Sequence, residues 1–230
     1  MNKDIINTVI LGASFLLLFG LAEFLYHKLK VKAELTRKIV HFGTGMLTLL
    51  FPVMLDNQWL VLLLCGSFAL ILLYSLKFNQ LKSINAIDRK SHGSILFPLA
   101  VYCCYLVYNY YNIKTGQRIE AYIYFYLPVL TLAICDPVAA LFGKQFPYGK
   151  FKTGNDIKTL SGSGAFFITS IALTILVFLC FGKYNDEIPK LILISAVIAF
   201  CSSTVEAISG SGTDNLTIPA TVLATLILLL

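Results

Sequence analysis

Residues 160–181 read LSGSGAFFITSIALTILVFLCF, a run without a single charged side chain. A helix of that length is about 33 Å long, enough to cross a hydrocarbon core about 30 Å thick. Lipid offers the backbone no hydrogen-bond partner, so such a run crosses as a helix. Similar apolar runs lie near residues 4–27, 38–55, 58–76, 94–112, 120–143 and 188–210, with a shorter one at 216–230. The expected fold is all-α: a polytopic membrane bundle of about eight transmembrane helices, or seven, in a single integral membrane domain covering residues 1–230. The first run is expected to be a true span and not a cleaved signal peptide. It is long, contains Glu23, and has no small-residue cleavage site before Tyr26, His27 and Lys28.

Composition agrees with this reading. The chain is 57% hydrophobic and 13% charged, whereas soluble domains run near half apolar and a quarter charged. The same figures exclude disorder, which needs low hydrophobicity and high charge. The net charge of +6 is read as positive-inside loops and not as a nucleic-acid surface. Cysteines 65, 103, 104, 135, 180 and 201 lie in apolar runs without metal-ligand spacing, as small lipophilic side chains do.

Loop charges set the expected orientation. Lys28, Lys30, Lys32, Arg37 and Lys38 lie between spans one and two; Lys77, Lys82, Arg89 and Lys90 lie between three and four. Lys144, Lys150, Lys152 and Lys158 lie between five and six, so these alternate segments hold 13 of the 18 basic residues. They are expected in the cytoplasm, with both termini outside. Trp59, Tyr108, Tyr110, Tyr111, Tyr122 and Tyr124 then cluster at the outer interface.

The informative residues are those a bilayer excludes, because ionisable groups inside it mark function by default. The first cluster is Thr36-Arg37-Lys38-Ile39-Val40-His41-Phe42-Gly43-Thr44-Gly45. Arg37, Lys38 and His41 share one side of a helix, and Gly43 and Gly45 permit close helix approach. A snorkelling anchor explains the two cations alone but not His41. The second is Asp88-Arg89-Lys90-Ser91-His92-Gly93-Ser94, a cation- and hydroxyl-rich loop that is equally a solvated one.

The third cluster is the strongest. Asp136-Pro137 is followed by Ala139, Ala140 and Gly143, a small-residue face beside a carboxylate. Pro137 frees a backbone carbonyl and can kink the helix. A basic loop leads to Lys158-Thr159-Leu160-Ser161-Gly162-Ser163-Gly164, where amides at a helix start, with lysine and hydroxyls, make an anion site. Gly143 to Gly149-Lys150 is not a P-loop: the spacing is one residue too long, and Phe151 stands where Ser or Thr belongs. In the fourth cluster Ser202 and Glu206 share a face of span seven, and Asp214-Asn215 open span eight. Carboxylate and amide oxygens suit magnesium beside nucleotide phosphates; a helix cap accounts for Asn215 but not for Glu206. Glu23 is expected to pair with a cation near the interface.

Carboxylates for a divalent metal and lysines with helix-start amides for phosphate point to phosphoryl or nucleotidyl transfer to a lipid. Such chemistry depends mostly on positioning and charge neutralisation. Arg37-Lys38-x-x-His41, Asp136-Pro137-x-Ala-Ala-x-x-Gly143, Lys158-Thr159-x-x-Gly162-Ser163, and Glu206-Ala207 followed by Asp214-Asn215-Leu216-Thr217-x-Pro219 together resemble the polyprenol kinase family. That family includes dolichol kinase, phytol kinase and CTP-dependent diacylglycerol kinase, and is distantly similar to CDP-diacylglycerol synthase.

The resemblance implies a kinase domain with its active site at the cytoplasmic face of a bacterial inner or plasma membrane. It implies transfer of the γ-phosphate of CTP or ATP to an isoprenoid alcohol such as phytol, farnesol, geranylgeraniol or a dolichol-like polyprenol, with Mg2+. The expected nucleotide- and phosphate-binding residues are Arg37, Lys38, Lys158, Thr159, Gly162, Ser163 and Asn215. Asp136 and Asp214 are the expected metal ligands, and Glu206, or else Asp136 or His41, the acceptor of the alcohol's proton. Two departures stand out: Ser161 occupies a position often acidic in relatives, and the glycine expected soon after Gly143 comes late, at Gly149. The alternatives are a CDP-diacylglycerol synthase-like nucleotidyltransferase, a diacylglycerol kinase and an ion-coupled transporter. No nucleic-acid partner is expected, only nucleotide, lipid alcohol and membrane lipids.

Overall fold

Long apolar runs fold as helices, and their boundaries fall where charge, proline or glycine interrupts them. The computed structural model describes residues 3–86, 93–154, 156–181 and 187–230. Its elements are α1 (Lys3–His27), α2 (Ala33–Thr48), α3 (Phe51–Met54), α4 (Gln58–Lys77), α5 (Lys82–Asn85), α6 (Gly93–Thr115), α7 (Arg118–Ala121) and α8 (Ile123–Leu130). A π-helical turn (Thr131–Cys135) leads into α9 (Asp136–Gln145), followed by β1 (Lys150–Thr153), β2 (Asp156–Thr159), α10 (Leu160–Cys180), α11 (Ile188–Ile208) and α12 (Asp214–Leu229).

The chain is a polytopic helical bundle of membrane type. Among the described residues 6 helices are long and apolar enough to cross a bilayer: α1, α4, α6, the stretch Arg118–Gln145, α10 and α11. Fewer single helices than the eight or seven expected spans reach that length, although α2 and α3 together still run from the Ser83 end of the bundle to the Asp4 end. The apolar run 38–55 is not one helix, because α2 ends at Thr48 and Pro52 sits in the first turn of the short α3. Helix α2 also carries Glu34, Arg37, Lys38 and His41, which direct that side of it to a polar site. At 16 residues α12 is likewise short of a full span. An all-α fold also needs amending, because β1 and β2 form an antiparallel hairpin pairing Lys150 with Thr159 and Thr153 with Asp156. Gly154 lies in its turn at φ +56°, a conformation that suits glycine.

The interior is aromatic and aliphatic, with Tyr105, Tyr108, Phe125, Phe166 and Phe178 fully buried. Outward-facing Leu17, Leu63, Leu176, Leu193 and Phe200 are exposed, an apolar surface that only lipid tolerates at this extent. The buried hydroxyls of Thr174, Ser195 and Ser202 are satisfied within their own helices. Ser202 donates to Ile198 O at 2.7 Å and lies 3.4 Å from Ser170 across the α10–α11 contact.

Hydrogen bonds between connections sort them to the two ends of the bundle. At one end Asp4 accepts from the Asp56 and Asn57 amides (3.2 and 3.1 Å). Arg118 donates to Pro52 O and pairs with Asp56 at 2.9 Å, and Tyr105 donates to Leu55 O at 2.7 Å. At the other end Glu23 accepts from the Ser83 amide (2.8 Å) and lies 3.0 Å from His27 Nε2. Asn215 Nδ2 there donates to Gly93 O at 2.7 Å. The connections rich in lysine therefore share one end, as the loop charges predict.

Candidate active site

Three of the four polar clusters, and the described part of the other, meet at the lysine-rich end around one chamber of about 810 Å³. Helix α2 contributes Glu34, Arg37, Lys38, His41 and Thr44; α9 contributes Asp136, Ala139, Ala140 and Gly143. The hairpin supplies Asp156, Lys158 and Thr159, α10 supplies Gly162 and Ser163, and Glu206, Asp214 and Asn215 come from α11 and α12. Residues 88–92 of the second cluster lie outside the described residues; Gly93 and Ser94 open α6 and line the chamber.

Asp136 owes its position to an irregular helix. Pro137 has no amide hydrogen, so the Ala133 carbonyl lacks its α-helical donor, and the backbone widens to a π turn over Thr131–Cys135. Such turns recur at functional sites. His41 Nε2 lies 3.3 Å from the Leu132 carbonyl; a carbonyl only accepts, so Nε2 carries the proton and a neutral ring keeps Nδ1 as an acceptor. Gly45 lets α2 approach this turn, since a Cβ there would stand 2.6 Å from Ala133 Cβ. The close approach expected of Gly43 and Gly45 is therefore present, Gly43 lying against Leu18.

The hairpin is fastened to the last turn of α11 and to the α11–α12 connection. Lys158 Nζ pairs with Glu206 Oε1 at 2.6 Å, with both side chains largely buried, and also donates to the Glu206 carbonyl. Thr153 Oγ1 donates to Ala207 O at 2.9 Å, and the Ser211 amide donates to Asp156 Oδ2 at 2.6 Å. Ser163 Oγ lies 3.3 Å from Glu206 Oε2. Glu206, expected to draw the proton from the acceptor, shares its carboxylate between the Lys158 ammonium and the Ser163 hydroxyl.

Other expected phosphate ligands have structural work as well. Thr159 caps α10, its Oγ1 accepting from the Gly162 amide at 3.1 Å, so the anticipated helix start is real and partly satisfied internally. Gly162 and Gly143 form the α9–α10 crossing, where a Cβ on Gly162 would stand 2.9 Å from the Ala139 carbonyl. Gly162→Ala is therefore expected to cost about 1–3 kcal/mol and to shift α9, which carries Asp136; a lowered Tm in detergent together with lowered activity checks this. Asn215 ties α12 to α6, and Ser161 donates to Phe146 O. Gly149, the displaced glycine, takes φ +63° just before β1.

Asp136 lies within electrostatic range of Asp214, Lys158, Glu206 and Arg37, and His41 within range of Asp214 and Arg37. The chamber's lining mixes carboxylates (Glu34, Asp136, Asp156, Glu206, Asp214) with cations (Arg37, Lys38, Lys144, Lys150, Lys158). A bare anion site would show cations in excess; this mixture suits an anion that arrives with a metal. Among the described residues no group of three or more His, Cys, Asp or Glu forms a metal cage. Two carboxylates facing an open chamber fit magnesium, which keeps waters and takes its remaining ligands from phosphate. Sequence reasoning missed Asp156 and Glu34, because both sit in polar segments where a carboxylate carries no burial cost and gives no signal.

The chain is 29% identical over 212 residues to the phytol kinase of Synechocystis sp., a match covering 91% of this chain and 85% of that protein. It is a homologue of a phytol kinase. That similarity supports the resemblance to the polyprenol kinases at the level of family. No family model and no solved structure matches the chain.

Proposed function

We propose that the protein is a membrane-embedded kinase that transfers the γ-phosphate of CTP or ATP to the hydroxyl of an isoprenoid alcohol. The observation that carries this reading is a single chamber with two kinds of lining. Carboxylates and cations from α2, α9, the hairpin, α11 and α12 line it together with Phe19, Leu72, Leu76, Ile84 and Phe97 from α1, α4, α5 and α6. A phosphate donor and a lipid acceptor can both find partners there. The similarity to a phytol kinase supports the acceptor class, and the lysine-rich end supports a cytoplasmic site with both termini outside.

In this reading the alcohol oxygen attacks the γ-phosphorus, the bond to the β,γ-bridging oxygen breaks, and a nucleoside diphosphate leaves. Arg37, Lys38 and the remaining Lys158 donor neutralise the triphosphate, with the first-turn amides of α10 beside it. Asp136 and Asp214 would hold magnesium, which when bound supplies further charge neutralisation at the phosphates. His41 takes the proton at Nδ1, its ring fixed by the Leu132 carbonyl and edge-on to Phe97 at 5.7 Å. It thus lies beside both polar and apolar parts of the lining. Glu206 holds Lys158 in place, and Thr159, Gly162, Ser163 and Asn215 shape the nucleotide side.

The test is the purified protein in lipid nanodiscs with CTP or ATP and a series of lipid alcohols, the products identified by mass spectrometry. A prenyl monophosphate is expected; no phosphorylated lipid with any pair would reject the reading. His41→Gln is expected to lower kcat by about 10²–10⁴-fold with nucleotide binding retained, as measured by single-turnover kinetics and nucleotide titration.

A further inference from the structure

Phosphate chemistry does not use the chamber's apolar lining, and that lining has a defined end. On α4 the lining runs from Leu76 to Leu72, one helical turn apart. The next residue on that face, Phe68, is buried and is not part of the lining. Its ring meets Phe19 at 5.7 Å, nearly perpendicular, and Phe15 at 4.9 Å. Phe15 in turn meets Phe51 at 6.0 Å. On α1 the pattern repeats: Phe19, itself buried, lines the chamber, and Phe15, one turn further from the site, does not. The apolar lining on α4 therefore ends at Leu72, against packed rings. At its open end the His41 ring touches Phe97, so recess and polar site are continuous.

We propose that Phe19, backed by Phe68, is the end wall of a slot for the acceptor's hydrocarbon chain and determines the chain length the site accepts. The inference rests on the kinase reading above. A chain anchored by its hydroxyl near His41 cannot advance past the rings, and cores packed at crystal density do not yield freely. Each methylene gained or lost in an apolar pocket changes selectivity about 10- to 200-fold, so one aromatic side chain is enough to set a limit.

The test uses the full chain in nanodiscs with geraniol, farnesol and geranylgeraniol, read two ways: kcat/KM for phosphorylation, and binding of the tritiated alcohols without nucleotide. Phe19→Ala is expected to move the long-to-short preference at least about tenfold toward the longer alcohol. Phe19→Leu should move it less, and Phe24→Ala, on the exposed side of the same helix, not at all. If Phe19→Ala does not fold, Phe19→Leu decides. Unchanged preference in the folded Phe19 variants, with phosphorylation intact, overturns the slot and leaves the kinase. A shifted binding profile without phosphorylation by the wild type keeps the slot and overturns the kinase.

Discussion

Asp136→Asn is expected to leave a folded protein whose phosphoryl transfer is at least about 10²–10³-fold slower. The substitution keeps the shape and removes the charge of a group that faces Asp214, Lys158, Glu206 and Arg37 in the chamber. Asp214→Asn should behave alike, since Asp214 lines the same chamber and its Oδ1 accepts only the Asn215 amide at 3.0 Å among the hydrogen bonds described. If the two carboxylates act as one unit on a metal–phosphate group, the double variant should be little worse than either single one, as groups acting together are not additive. The measurement is kcat across a magnesium titration, with near-normal magnesium-dependent rates in both single variants removing these residues from the metal site.

Lys158→Met is expected to destabilise the fold by about 3–5 kcal/mol, because removing one member of a buried ion pair strands the other charge. The side chains of Lys158 and Glu206 are only 13% and 7% exposed at 2.6 Å separation, which excludes the small values typical of surface pairs. Lys158→Met combined with Glu206→Leu should recover most of the lost stability while activity stays low, since Lys158 would still be missing from the phosphate side. Thermal unfolding in detergent separates the two effects. A single variant as stable as wild type would mean that the pair does not hold the hairpin against α11.

Much of the site was legible in the sequence because the bilayer makes polarity conspicuous. His41, Asp136 and Glu206 stood out as ionisable groups inside apolar runs, and all three line one chamber. The small residues beside Asp136 and the glycines of α2 signalled close helix approach, and Gly143, Gly162 and Gly45 are points of contact. The helix count was harder, since hydropathy joins α2 to α3 across a break that depends on backbone geometry around Leu49–Pro52. In the sequence the hairpin is legible only as a basic loop, because four-residue strands leave too little alternation to see. Pro137 hinted at a freed carbonyl, but nothing local to it indicated that His41 would reach the Leu132 carbonyl from another helix. Partner choice was likewise invisible: Lys158 was expected on phosphate alone, and its pairing with Glu206 depends on how the hairpin docks.

The central claim is γ-phosphoryl transfer to a lipid alcohol, and one labelling experiment tests it most directly. Purified wild-type protein is given farnesol or geranylgeraniol with CTP or ATP carrying radiolabel at either the γ- or the α-phosphate, and the lipid extract is counted. The account predicts label in the lipid from γ-labelled nucleotide only, with the nucleoside diphosphate left in the aqueous phase. Lipid label from the α-position, with release of pyrophosphate, would contradict it and identify a nucleotidyltransferase.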